Sequence, residues 1–123
     1  MVIHLQEWKI VELNYHLNAN KSDKTKYDFH VFTRKGAEDQ LVISFEFVLE
    51  DADFILHGQK EFYFKTEGAF RDDWLNSDFV RINAPAIAYP YLRSFISQYT
   101  LLSGQGAVVL PAVNFVALAE EQQ

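Results

Sequence analysis

The sequence contains no cysteine, a single methionine, three prolines and five glycines in 123 residues. Without cysteine there is no disulfide, no thiolate nucleophile and no Cys-ligated zinc. Positive charge is also scarce, with 11 Lys and Arg set against 17 Asp and Glu, a net charge of −6. Proteins that grip phosphates need a basic footprint, so nucleic acid is not an expected partner. Long apolar runs are missing. The opening Met-Val-Ile-His-Leu-Gln-Glu-Trp-Lys is broken by polar residues and has no signal-peptide core. Residues 107–119 form the most apolar stretch, but Pro111 and Asn114 interrupt it, and spanning a bilayer takes about 20 apolar residues. No membrane insertion is expected, and the cytoplasm is the default location.

What the chain has in quantity is aromatic side chains: 11 Phe, six Tyr and two Trp, enough to build a core and leave some over for a partner surface. The length suits one domain, residues 1–123, without repeats, linkers or low-complexity tracts. Over the first two-thirds, apolar residues alternate with period two, as in half-buried strands. In residues 3–17, Ile3, Leu5, Val11, Leu13, Tyr15 and Leu17 fall on one face. Trp8 and Ile10 fall on the other, which predicts a bulge or face swap between Lys9 and Val11. A polar loop over 18–24 follows. Tyr27, Phe29 and Val31 then alternate with Asp28 and His30. The cleanest strand is 41–50, with Leu41, Ile43, Phe45, Phe47 and Leu49 on one side and Ser44, Glu46 and Glu50 on the other. Phe54, Leu56, Phe62 and Phe64 mark a fourth strand in 54–68. Four antiparallel strands with one open, acidic face are expected.

The period changes in the last third. After a mixed connector over 70–81, Asn83 can cap a helix with Pro85 in its first turn. Tyr89, Leu92, Ile96 and Tyr99 make an apolar stripe that Phe95 and Leu102 widen, opposite Arg93, Ser94, Ser97 and Gln98. Pro90 predicts a kink or a late start, and Gly104 a stop. A second helix of at most three turns fits 113–123. Strands followed by helices indicate an α+β fold.

Little in the chain suggests chemistry. His4, His16, His30 and His57 are spread one to a strand region, so a metal site would have to form across the sheet, for instance from His30 or His57 beside Glu46 or Glu61. Surface histidines are the simpler reading. Asp51/Asp53 and Asp72/Asp73 lack calcium-loop spacing and read as solvated turns. There is no nucleophile elbow, Walker loop or dinucleotide fingerprint. Glu46 and Glu61 sit on a flat, wet face with no implied pocket to separate their pKa values. An enzyme is not expected, and neither a metal nor another cofactor.

From Asn83 to Ser97 the sequence Asn-Ala-Pro-Ala-Ile-Ala-Tyr-Pro-Tyr-Leu-Arg-Ser-Phe-Ile-Ser resembles the helix signature of the SecB family of protein-export chaperones. Leu110-Pro111-Ala112-Val113-Asn114-Phe115 is similar to that family's segment before its last helix, with the Pro one position nearer the Leu. Gly104 lies between the two, and Gly68-Ala69-Phe70 is similar to the family's step out of the sheet. The two helical segments cover about a third of the chain. The resemblance implies a four-stranded antiparallel sheet with two helices packed on one face. It also implies a homo-oligomer, a dimer or dimer of dimers built partly through the long helix. The implied activity is that of an ATP-independent holdase for unfolded or unassembled polypeptides, possible in export or as a toxin–antitoxin-associated chaperone for one partner. Client contacts are then expected at Tyr27, Phe29, Tyr99, Leu102, Leu110, Phe115 and Leu118, with Tyr89, Phe95 and Ile96 in the core or a subunit interface. The family's export motor, SecA, docks on a carboxylate late in strand one. Asn14-Tyr15-His16-Leu17-Asn18 carries none, which weakens that partner's claim. Two other classes stand beside this reading: a small-ligand binder or hydrolase with a pocket between sheet and helices, and an adaptor for one folded partner.

Overall fold

The computed structural model describes residues 2–19 and 25–121, so most of the polar loop expected over 18–24, and the last two residues of the expected second helix, lie outside the described residues. The chain forms two compact units, one ending at Phe70 and the other beginning at Arg71. The first is a four-stranded antiparallel sheet and the second holds two helices, an α+β fold.

The strands are β1 (Ile3–Leu17), β2 (Lys26–Lys35), β3 (Gln40–Glu50) and β4 (Phe54–Thr66), arranged β1-β4-β3-β2. Because paired residues in an antiparallel ladder share a face, the register sorts the side chains. Leu41 lies opposite Phe64, Ile43 opposite Phe62 and Leu49 opposite Leu56, while Phe29 and Val31 of β2 lie opposite Phe47 and Phe45. Leu41, Ile43, Phe45, Leu56 and Phe62 have no exposed surface and form the centre of this apolar face. Rings lock across strands, with Phe45 edge-on to Phe62 at 5.8 Å and to Phe29 at 6.0 Å.

β1 departs from the expected pattern. Its register shifts twice, between Leu5 and Glu7 and between Ile10 and Glu12. Each shift inserts one residue and reverses the alternation. Trp8 and Ile10, expected on the opposite face, therefore join Leu5 and Leu13, and Trp8 meets Phe62 at 6.4 Å. Val11 is the inserted residue of the second bulge rather than a core position, and it is 53% exposed. Gly58 is needed here: a Cβ would lie 2.4 Å from the backbone oxygen of Glu12 and 3.0 Å from the Phe47 ring.

After Thr66 the chain leaves the sheet through Gly68, whose φ of 76° suits glycine. Phe70 is buried and its N–H donates to the Glu38 carbonyl at 2.7 Å.

In the second unit, the connector is not irregular. It contains a 3-10 turn, Asp72–Asn76, and a π-helical turn, Phe79–Asn83, that runs directly into α1 (Ala84–Leu102). Asn83 is itself helical and makes no side-chain cap, because the π turn already occupies the place where a cap would stand. Pro90 lies inside the helix, not at a late start. The C-terminus follows the glycine stop expected from the sequence. Gly104 has φ 89°, its N–H donates to Leu101, and the Gln105 N–H donates to Thr100 at 3.0 Å. Helix α2 (Phe115–Glu121) is two turns long and begins at Asn114, whose Oδ1 accepts from the N–H groups of Val116 at 3.0 Å and Ala117 at 3.2 Å. At its other end, the Arg81 guanidinium donates to the Ala119 carbonyl. No helix is long and apolar enough to cross a membrane among the described residues.

Candidate functional site

The residues singled out for client contact divide between the two units. In the sheet, Tyr27 and Phe29 are neighbours on the apolar face of β2, and both are partly exposed. Their strand is at the sheet edge. It pairs with β3 residue for residue and without a bulge, so the backbone groups of its outer side have no ladder partner among the described residues. Tyr27 donates from its hydroxyl to Asp51 Oδ2 at 3.0 Å. Burial, then that bond and the carboxylate's charge, push its pKa up to about 12. The other edge, β1, is broken by its two bulges, a form that discourages further pairing.

In the helical unit, Phe115 packs edge-on to Tyr89 at 5.5 Å, and the Tyr89 hydroxyl donates to the Pro111 carbonyl at 2.5 Å. Tyr99 lies against Phe95 at 5.8 Å. Ten residues separate Tyr89 from Tyr99, about 15 Å along a helix, so these are two clusters and not one. Leu110 and Phe115 are 2% and 7% exposed, the burial of core residues, and Leu118 is partly exposed. Leu102 does not widen the apolar stripe. It lies in the last turn before the Gly104 stop and is 85% exposed, next to Leu101 at 59%.

Residues 108–111 run as an extended segment along one flank of α1. Thr100 Oγ1 accepts from the Val108 N–H at 2.9 Å, Ser97 donates to the Val108 carbonyl at 2.7 Å, and Tyr89 holds Pro111. Val108 and Leu110 point in and are buried, while Val109 is 67% exposed.

The polar face of the sheet is not flat. Glu12, Asp28, His30, Glu46, His57 and Gln59 surround a depression of about 370 Å³. His30 lies opposite Glu46 in the ladder. Glu46 and Glu61 are diagonal, since their partners across the ladder are Gln59 and Ser44. Among the described residues, no group of three or more His, Asp or Glu is placed to hold a metal ion. Beside the depression, Glu61 accepts from Arg34 at 3.3 Å and from the Tyr63 hydroxyl at 2.7 Å, which, with burial as the larger cause, raises the Tyr63 pKa to about 12. Gln59 donates to Ser44 at 2.7 Å, tying β4 to β3 below it. Glu46, expected on a flat surface, thus lines a concave one, and Glu61 lies outside its lining.

No protein-family model matches the chain, and no curated protein does. Solved structures do. The SecB-like chaperone Rv1957 of Mycobacterium tuberculosis, in complex with a ChAD peptide from the Rv1956 HigA1 antitoxin, superposes with a TM-score of 0.70 at 11% identity, over 90% of this chain and 89% of that one. A protein of unknown function from Streptococcus agalactiae matches with a TM-score of 0.61 at 16% identity, over 91% and 98%. At such identities the agreement concerns the fold, and the fold of this chain is that of a SecB-like chaperone.

Proposed function

We propose that this protein is an ATP-independent holdase that binds extended, non-native polypeptide. The observation that carries the reading is the edge strand β2: an unbulged ladder edge with Tyr27, Phe29 and Val31 in a partly exposed apolar row. An extended client can add main-chain hydrogen bonds at such an edge and place alternate side chains against the row. In the helical unit, Tyr99, Leu102 and Leu118 offer further apolar surface, while Leu110 and Phe115 are buried. The fold likeness to a chaperone seated on a peptide supports the same reading. The protein is proposed to work in the cytoplasm without cofactor, as a homo-oligomer in which partner subunits cover the outward Ile87, Tyr91 and Leu101 of α1, exposed by 45% or more. A role in export or docking to SecA has less behind it.

The test is a calorimetric titration against a permanently unfolded, reduced polypeptide and its native counterpart. Binding to the unfolded form alone is expected, weakened about tenfold by Phe29→Ala. Binding to neither overturns the general holdase. The second reading, one dedicated partner, draws on the antitoxin peptide in the Mycobacterium complex. It predicts tight binding to a single protein segment and none to the generic unfolded chain.

A further inference from the structure

The turns at the two ends of β3 fix which way the backbone of the edge strand β2 points. In an antiparallel ladder, opposed residues alternate between exchanging main-chain bonds and directing their N–H and C=O groups away from each other. Just beyond β2, the Gly36 N–H donates to the Gln40 carbonyl at 2.9 Å, and these two residues continue the β2–β3 register by one step. Two residues at a time back along the strand, Arg34, Phe32, His30 and Asp28 therefore exchange bonds with β3. Thr33, Val31, Phe29 and Tyr27 direct theirs away from it. The β3–β4 ladder agrees. The Asp51 N–H donates to the Phe54 carbonyl and the Thr66 N–H to the Asp39 carbonyl, both at 2.9 Å. The odd-numbered residues of β3 thus bond to β4, and the even-numbered ones are left for β2. No further strand lies outside β2 among the described residues.

The residues with outward backbone groups are the ones whose side chains lie on the apolar face: Tyr27, Phe29 and Val31, all partly exposed, and Thr33 beyond them. Asp28, His30 and Phe32, between them in sequence, are exposed on the polar face. β2 keeps this phase from Lys26 to Lys35, whereas the bulges of β1 change its phase twice. Every pair in the sheet is antiparallel, and a strand added to β2 in that orientation meets it in one way. Residues that exchange bonds with the outward groups put their own side chains on the apolar face, because bonded pairs share a face. The residues between them lie on the polar side and point their N–H groups to solvent. Parallel addition reverses this, since its slanted bonds reach the residues on either side of the one opposite. A second copy's β2 fits the edge less well. Centred on His30, such a pair sets Lys26 opposite Arg34, like charge against like. Centred on Val31, it sets Asp28 opposite Arg34, and both are already in ion pairs, with Lys26 and with Glu61, at 3.3 Å.

We propose that β2 receives non-native polypeptide as a fifth, antiparallel strand in this single phase, and so selects segments with apolar residues at alternate positions and an intact N–H at those same positions. Proline, which has no N–H, is excluded from the apolar-face positions and tolerated at the positions between them. This rests on the polypeptide-binding reading above and adds a rule of sequence to it. Of two segments equally apolar and equally rich in proline, the one with its prolines between the apolar residues is the one that binds.

The test uses the full-length protein and three short peptides, acetylated and amidated at their ends, with Leu or Val at alternate positions and Ser or Gln between. One is unmodified, one is N-methylated at two apolar positions, and one at two intervening positions, so the last two lose the same number of N–H groups. Relative to the unmodified peptide, methylation at intervening positions is expected to change affinity by no more than about twofold, and methylation at apolar positions to weaken it about tenfold. In amide exchange, Tyr27, Val31 and Thr33 are expected to gain protection when the unmodified peptide is added. Asp28, His30 and Phe32, already bonded to β3, should stay as they are. Equal weakening by both methylations, or by neither, overturns the strand addition and leaves the holdase reading standing. Greater weakening by the intervening set makes the client parallel and overturns the assigned phase. Binding without protection of the alternate amides overturns the placement on β2. Binding of none of the three peptides overturns both readings. Protection that is present without peptide and lost on dilution assigns the edge to a second copy of the chain, and the client assignment is then wrong.

Discussion

Lys60 shows how one residue sets a condition on stability. It sits in the apolar face of β4, opposite Ile10 and Phe45, is 4% exposed, and has its ammonium 5.6 Å from the centre of the Phe62 ring. Burial holds its pKa below the ordinary 10.5. The unfolded chain therefore binds a proton over a range in which the folded chain does not, and this group's contribution to stability grows as pH rises toward 10.5. Tyr27 works in the opposite sense. Its folded pKa of about 12 lies above the ordinary 10, so the stability it contributes is complete below pH 10 and is lost as pH rises through that interval. Urea midpoints measured across the alkaline range should rise and then fall. Lys60→Met should remove the rise and add on the order of 1 kcal/mol at neutral pH, while Tyr27→Phe should reduce the fall without abolishing it, since Tyr63 is shifted in the same direction. A rise that persists in Lys60→Met would assign it to another group.

Among the elements, α2 is the clearest case of a short segment held by its ends. Seven residues are too few for a helix to persist on propensity. Asn114 satisfies two of its orphan N–H groups, Arg81 accounts for a carbonyl near its end, and Phe115 packs on Tyr89. Asn114→Ala should cost about 1 kcal/mol, and Asn114→Asp much less, since an aspartate accepts the same bonds. Amide exchange of Val116 and Ala117 should quicken in the alanine variant alone. Elements of this kind were also where the sequence was easiest and hardest to read. β2, β3 and β4 keep strict alternation and their faces follow from it, as do the Gly104 stop and the buried Tyr89, Leu92 and Ile96. β1 misleads because two bulges reset its period, so that Trp8 and Ile10 look misplaced when they are in the core face. The start of α1 misleads because a π turn, which has no sequence period of its own, fills the place of the cap. Of the site, Tyr27 and Phe29 were legible as strand aromatics. Leu102 was not, since helical spacing cannot tell the last turn of a stripe from an exposed terminus. Ser97 read as part of the polar side of α1, and helical spacing gave no sign that it, Thr100 and Tyr89 hold the segment 108–111.

At the scale of the whole molecule, charge and apolar surface make different demands on a client. Partly exposed apolar residues, Tyr27, Phe29, Val109 and Leu102 among them, accept any chain with hydrophobic side chains, and their contribution changes little with salt. The net charge of −6 acts at longer range on the approach of any charged polypeptide and is screened by salt. The carboxylates of Glu12, Asp28 and Glu46 gather part of that charge on the polar face of the sheet. A basic unfolded polypeptide should therefore bind faster and more tightly at low ionic strength, with affinity falling on the order of tenfold between about 20 and about 300 mM salt. An acidic one of equal hydrophobicity should bind more slowly at low salt and gain as salt rises. Stopped-flow association rates for the two, measured over that range, separate the terms: the salt dependence should appear in the association rate, and the dissociation rate should hold nearly constant. If the two polypeptides respond to salt alike, the overall field has no part in client choice, and any charge preference must arise at single contacts.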